Sequence, residues 1–334
     1  MVDEATSEAS TPGGGRPFGS DVNAAFDDAI FRTKRKHALR EVPAPDPALE
    51  HALADSHTHL SMLRSPARSL ARAAIHGVGF VCCITDPVED ADVVYDQIDT
   101  WFADAQGMAQ SWTGDSAVQM PAYRVACGCH PHEARLFDAD ARSSLMGHLA
   151  DPRTCCVGEV GLDYHYDYSP RDVQRDVFRR QIGIAHETGL PIALHLREAH
   201  DDALQIMDEE GFPEAGTILH CFNLGADVLA PWVERGCFVA VGGAVTFGSS
   251  DDLRDALPLV PRDRLLLETD GPYMAPAPFR SVECSPDLIA FTAQAVAQEL
   301  GADPGGSREV LLSSIYENTV DLLDREATAW QTGR

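Results

Sequence analysis

From about Leu53 onward the chain repeats one pattern. A short, continuously apolar run is followed by a longer stretch with apolar positions at helical spacing. The apolar runs fall at Ala52–Asp55, Val78–Ile84, Tyr123–Cys129, Cys155–Glu159, Pro191–His195, Thr217–His220, Cys237–Val241 and Arg264–Glu268. Continuous rather than alternating runs suit strands buried on both faces, as in a parallel sheet. The amphipathic stretches predict helices over Pro66–His76, Asp90–Asp104, Asp140–Leu149, Arg171–Thr188, Ala199–Glu210, Ala226–Arg235 and Asp251–Leu257, with Ser285–Leu300 and Ser307–Leu323 after the last strand. Strand-helix repetition predicts an α/β fold. Eight such units over about 270 residues predict a (β/α)8 barrel, a fold of typically about 250 residues. The alternative, an open doubly wound sheet, lacks a GxGxxG turn after its first strand.

The first fifty residues read differently. Residues 1 to about 20 are rich in Ser, Thr, Gly and Pro with few apolar anchors, a composition expected to stay disordered. Ala24, Ala25, Phe26, Ile30 and Phe31 cluster at helical spacing and predict a short helix over Phe26–Arg40. It would end in the one basic cluster of note: Arg32, Lys34, Arg35, Lys36 and Arg40. A solvated helix end is the expected role, with a nucleic-acid arm as the alternative. The expected organisation is an extension over 1–50, a barrel domain over 51–325 and a tail over 326–334.

Composition narrows the function classes. Of the 334 residues 44% are hydrophobic, ample for a large core. No basic-then-apolar signal opens the chain, and no apolar run approaches the roughly 18 residues of a membrane span. The reading is a soluble, cytoplasmic protein with no membrane association and no obligate protein partner. The nine cysteines agree: Cys82-Cys83, Cys155-Cys156 and Cys127-x-Cys129 sit in strand-like runs, where free cysteine packs as a small hydrophobe. No zinc-ribbon CxxC pair is present. The formal net charge is −26, and Lys34 and Lys36 are the only lysines. Such a charge repels polyanions at long range. It argues against wrapping by duplex nucleic acid, which needs many Lys and Arg contacts to phosphates.

Polar residues then appear where the apolar runs stop. The first run ends in Asp55-x-His57-x-His59, the fourth in Glu159 and Asp163, the fifth in His195 and Arg197, the sixth in His220 and the eighth in Glu268-Thr-Asp270. Side chains two apart on a strand share a face, so His57 and His59 can clamp one point. In a (β/α)8 barrel the strand ends meet at one rim. Four histidines and two carboxylates converging there suit a pair of divalent cations, with zinc or manganese favoured and magnesium more dependent on carboxylates. A lone buried histidine or a helix-capping aspartate is the bland reading of each residue taken singly. Six at the ends of different strands favour the joint reading.

These motifs, with Gly128-Cys-His130-Pro-His132-Glu-Ala134, Leu190-Pro-Ile-Ala-Leu-His195-x-Arg197, Leu219-His220-Cys-Phe222 and Glu268-Thr-Asp270-x-Pro-Tyr273-x-x-Pro276, resemble the TatD family of metal-dependent hydrolases over about Asp55 to Asn318. The resemblance implies a TIM barrel of the metallo-dependent hydrolase type. It implies two divalent ions (Mg, Mn or Zn), one held by His57 and His59 and the other by His195 and His220. Glu159 would lie between them, and Asp270 would bind the first and face the attacking water. Two cations about 4 Å apart acidify a shared water and steady both oxygens of a displacement. Glu159 and Asp270 are thus the expected catalytic residues, and His130, His132, Arg197 and Arg280 the expected substrate contacts. The chain departs from the family at Ser281–Ser285, where relatives carry a glycine and a basic residue after the arginine.

The resemblance implies hydrolysis of DNA phosphodiesters by a metal-activated water, and it alone implies a 3′-5′ exonuclease on single strands. Two cations outweigh two carboxylates, so the site would attract a nucleic-acid end or a small phosphoester within an acidic protein. The alternatives are hydrolysis of another bond (an aminoacyl-tRNA ester or a small amide or phosphoester) and a non-catalytic binding barrel.

Overall fold

A computed structural model of the chain describes residues 27–35, 38–46 and 48–333. The Ser- and Gly-rich stretch over residues 1–20 lies outside the described residues, as do Ala24, Ala25 and Phe26.

The described part of the extension forms a two-stranded antiparallel hairpin, β1 (Arg32–Arg35) and β2 (Ala38–Glu41), where sequence spacing predicts a helix. Tertiary anchoring overrides the spacing. Phe31 is buried, stacked on His76 at 4.0 Å between ring centroids and edge-on to Phe291 at 4.9 Å. The Thr33 hydroxyl donates to the Pro278 carbonyl at 2.7 Å, and the Ser281 hydroxyl donates to the Lys34 carbonyl at 3.1 Å. An isolated hairpin is marginal in water. This one is held by its fit to the loop after the last barrel strand.

The barrel strands are β3 (Leu53–Thr58), β4 (Val78–Thr85), β5 (Ala122–Cys127), β6 (Thr154–Asp163), β7 (Ile192–Arg197), β8 (Thr217–Leu219), β9 (Phe238–Val241) and β10 (Leu265–Leu267). They form one eight-stranded sheet in sequential order, every neighbouring pair parallel. The helices alternate with them: α1 (Pro66–Ile75), α2 (Ala91–Thr113), α3 (Ala139–Leu149), α4 (Arg171–Thr188), α5 (His200–Glu210), α6 (Ala226–Glu234), α7 (Asp251–Ala256), α8 (Ile289–Glu299) and α9 (Gly306–Leu323). α2 runs past the expected Asp104 and stops at Gly114, whose left-handed backbone caps it. Among the described residues no helix is long and apolar enough to cross a membrane. Within the expected tail, Gln331 donates from Nε2 to the carbonyls of Leu149 and Thr154, each at 2.9 Å.

The seam between first and last strands is built from the motif residues themselves. The His59 N–H donates to the Gly271 carbonyl at 2.8 Å and the Asp270 N–H to the His57 carbonyl at 2.9 Å. Asp55 lies beneath, fully buried. Its carboxylate accepts from the Thr269 N–H at 2.9 Å and the Thr269 hydroxyl at 2.5 Å. Burial nevertheless pushes its carboxyl up to about 8. Asp55 is therefore the clasp that ties the two ends of the barrel together, below the histidines it precedes.

Inside the barrel Ala54, Phe80, Cys82, Ile84, Ala126, Cys156, Ala193, Ile218, Ala240 and Leu266 pack together, while Val81, Cys83, Val125, Cys127 and Val157 join the cluster under the helices. That is the two-residue alternation of strands with both faces covered. Counting in twos from the interior set reaches His130, His195, His220, and Glu268 with Asp270. The remaining inward groups need a change of phase. One extra residue bulges β3 between Asp55 and Thr58 and another bulges β6 between Val157 and Val160. A bulge re-aims the residues beyond it. Here the bulges turn His57, His59 and Glu159 inward.

Candidate metal centre

At the C-terminal rim these side chains meet around Glu159, which is 4% exposed. Its Oε2 is 3.3 Å from His57 Nε2 and 3.6 Å from His59 Nε2. Its Oε1 is 2.5 Å from His195 Nδ1, 3.2 Å from His220 Nε2 and 3.6 Å from His130 Nε2. Asp270 Oδ1 lies 3.7 Å from His59 Nε2. One oxygen of this carboxylate thus faces two imidazoles and the other faces three. β6 can run this close to β7 because Gly161, at φ +145°, has no Cβ; one there would lie 2.1 Å from the His195 carbonyl oxygen.

Donor atoms of His57, His59 and Glu159 lie within 4.8 Å of one another, and so do those of Glu159, His195 and His220. The same holds for His57, His220 and Asp270, and for His130, His132 and His195. The test of whether a cation fits is His57. Its Nε2 is buried without a hydrogen-bond partner, although its ring stacks on His220 at 3.6 Å and faces the Glu159 carboxylate. A buried polar atom left unpaired is costly, and an inward-facing imidazole nitrogen beside a carboxylate is a metal donor set. The residues present fit a divalent cation.

The protonation pattern points the same way. Burial raises the Glu159 carboxyl, but the rings of His220, His195, His130 and His57 outweigh it and hold it well below the ordinary carboxylate range. Burial lowers His195, yet Glu159 and Asp163 push it up to about 9. His220 is likewise raised well above the ordinary value, by Glu268 and Glu159 against burial. Burial pushes Asp270 up to about 7, and burial with the neighbouring His220 keeps His57 well below its usual range. Protons on His195 and His220 therefore hold the positive charge that these carboxylates demand, and a cation must displace them. Apparent affinity for divalent ions should accordingly rise from pH 6 to about pH 9, with proton release. Calorimetry in buffers of different ionisation enthalpy would read that release; affinity independent of pH would contradict the arrangement.

Two carboxylates absent from the sequence-derived ligand and substrate set stand behind the ligand histidines. Asp163 Oδ2 is 3.2 Å from His195 Nε2 and 2.9 Å from His132 Nε2. Glu268 Oε2 is 3.2 Å from His220 Nδ1, and its Oε1 accepts from the Cys221 N–H at 2.7 Å. A carboxylate on the far nitrogen fixes the tautomer and ring plane of a metal-binding histidine. Glu268 could have been found from the sequence, since it follows Leu266 at interior spacing. Cys221 and Asp270 adopt left-handed backbone, at φ 48° and 54°. Such backbone in a non-glycine residue costs about 1–3 kcal/mol and gathers at functional sites. Glu268→Gln should weaken metal affinity about 10- to 100-fold with the fold retained. Titration of manganese into the variant would show it.

The expected substrate residues divide. His130 and His132 lie in the cluster, 4.3 Å apart between ring centroids. Arg197 and Arg280 instead cap aromatic rings, Arg197 over Tyr166 at 4.7 Å and Arg280 over Phe247 at 3.4 Å. Tyr166 stacks on Tyr168 at 5.3 Å, and both are exposed at the mouth. Tyr273, also exposed, lies 6.4 Å from the His59 ring.

The model of the family described as TatD related DNase matches residues 54–323. The chain belongs to the TatD family. The metal-dependent hydrolase TatD of Mycobacterium tuberculosis is 32% identical over 262 residues, 75% of this chain and 92% of that protein. The 3′-5′ ssDNA/RNA exonuclease TatD of Citrobacter rodentium is 32% identical over 182 residues, 53% of this chain and 69% of that protein. Among solved structures, the TatD homolog YjjV of Escherichia coli superposes with a TM-score of 0.66 at 22% identity, over 82% of this chain and 98% of that one. That likeness carries the barrel fold. The family match and the His/Glu/Asp cluster together make divalent-metal binding a property of the site.

Proposed function

We propose that this TatD-family chain is a nuclease that hydrolyses phosphodiester bonds at the 3′ end of single-stranded DNA, using two divalent ions. The observation that carries the reading is the single Glu159 carboxylate with His57 and His59 on one oxygen and His195 and His220 on the other. In it, His57 and His59 would hold one ion and His195 and His220 the other, with Glu159 and Asp270 as the carboxylate ligands. Zinc or manganese suits four imidazoles better than magnesium does. Bound there, the ions would acidify a water and neutralise charge on the phosphoryl oxygens.

The chain's own groups divide the remaining work. Asp270, whose carboxylate lies 3.7 Å from His59 Nε2, takes the proton of the attacking water. The water oxygen bonds to phosphorus, the bond from phosphorus to the 3′ oxygen of the preceding nucleotide breaks, and that oxygen receives the proton. His130 and His132 bind the phosphate from the β5 side, and Tyr166, Tyr168 and Tyr273 offer ring faces to the terminal bases. The Citrobacter relative's activity supports this choice of substrate. A reducing, cytoplasmic setting suits the nine free thiols.

The test is a 5′-labelled single-stranded oligonucleotide with manganese, magnesium or zinc, beside an aminoacyl-tRNA ester and a small amide. Stepwise shortening from the 3′ end is expected. Hydrolysis of the ester or amide with the oligonucleotide left whole would overturn the proposal, as would inertness toward all three in every metal.

A further inference from the structure

The hairpin concentrates what the rest of the protein lacks. Lys34 and Lys36 are the only lysines of a chain carrying −26, and with Arg32, Arg35 and Arg40 they stand in a segment, 29–40, without one acidic residue. Arg32 is committed to Asp28 at 2.7 Å. Lys34 and Arg40 are exposed and form no ion pair among the described residues. Thr33 pairs with Arg40 across the ribbon, so Arg40 shares the face whose Thr33 hydroxyl meets the Pro278 carbonyl. Lys34 pairs with Leu39 and so lies on the ribbon's other face, while its backbone carbonyl accepts from the Ser281 hydroxyl.

That loop is the continuation of the metal centre. It leaves Asp270, passes Tyr273 beside the His59 ring, and is pinned to the rim where the Ala277 N–H donates to the Thr246 hydroxyl at 2.7 Å. Its own stretch Ser281–Ser285 carries no cation and includes Glu283. Arg64, 3.5 Å from Glu283, and Arg280, over the Phe247 ring, already have partners there; the hairpin adds the exposed Lys34 and Arg40.

From this juxtaposition we infer that the β1–β2 hairpin is a binding element for the phosphate backbone of a single-stranded nucleic acid, holding the part of the strand upstream of the bond being cut through Lys34 and Arg40. The inference rests on the nuclease reading above and deepens it. It reconciles an acidic protein with a polyanionic substrate: one docked basic ribbon beside the site replaces a basic groove. Aromatic faces at the mouth favour a nucleic acid over an acidic polypeptide, because every base has a face to stack.

The test is binding of a fluorescent twelve-nucleotide single strand, with phosphorothioate linkages at its 3′ end to block turnover, to the manganese-loaded full chain and to the same chain in EDTA. Anisotropy reads affinity without catalysis. Lys34→Ala/Arg40→Ala should raise Kd on the order of tenfold at 0.1 M salt and flatten log Kd against log salt by about 1.4, the share of two phosphate contacts on a single strand. Both effects should persist in EDTA, since the hairpin needs no ion. Unchanged affinity and salt slope in the variant would overturn the inference even where the wild type degrades the unblocked strand, and so would displacement of the strand by polyglutamate of equal charge. A wild type that binds the strand but never cuts its unblocked form would instead overturn the nuclease reading.

Discussion

Glu159→Gln should lower kcat/KM on oligonucleotides by about 10³-fold or more and weaken divalent-metal binding, while circular dichroism and the melting profile of the metal-free protein stay close to those of the wild type. The substitution keeps the size of the side chain and removes the one charge that faces His57, His59, His195 and His220 together. Lewis-acid stabilisation of a displacement is worth several kcal/mol, and each 1.36 kcal/mol is tenfold in rate. The metal-free fold keeps its other supports, because Asp163 still faces His195 and Glu268 still faces His220. Activity within tenfold of wild type would mean that the chemistry runs elsewhere.

Asp270→Asn should act on a different quantity. With no ion bound, burial pushes the Asp270 carboxyl up to about 7, and its carboxylate at the rim is the group placed to take the water's proton. The amide cannot accept a proton, so kcat should fall by about 10²- to 10⁴-fold. KM should change far less, because the other ligands and the phosphate contacts remain. Rapid-quench measurement of a single turnover would separate the chemical step from release. A loss confined to KM would reassign Asp270 to substrate binding.

Much of this was legible before the structure, and for a definite reason. A parallel barrel buries both faces of every strand, so its strands announce themselves as apolar runs, and the first polar residues after each run fall on the rim. His195 and His220 are readable by that rule. His57 and Glu159 reached the same place only through bulges in β3 and β6. No residue pattern marks those bulges, and the motif resemblance supplied what periodicity did not. Phe26–Arg40 shows the opposite failure. Its helical spacing was real, but Phe31 finds a pocket against His76 and Phe291, and long-range anchoring decided for a hairpin. Arg197 and Arg280 are visible in the sequence as charges, whereas the rings they lie over, Tyr166 and Phe247, sit in other rim loops and show only in the structure. Asp163 and Glu268 act through other residues: interior spacing marks Glu268 alone, and only the distances to His195 and His220 reveal what each does.

The central claim is that one carboxylate joins two ions at the rim. An anomalous difference map from crystals grown with manganese tests it most directly. Two peaks per chain are expected, one beside His57 and His59 and one beside His195 and His220, with the Glu159 carboxylate between them. A single peak, or peaks remote from Glu159, would contradict the account.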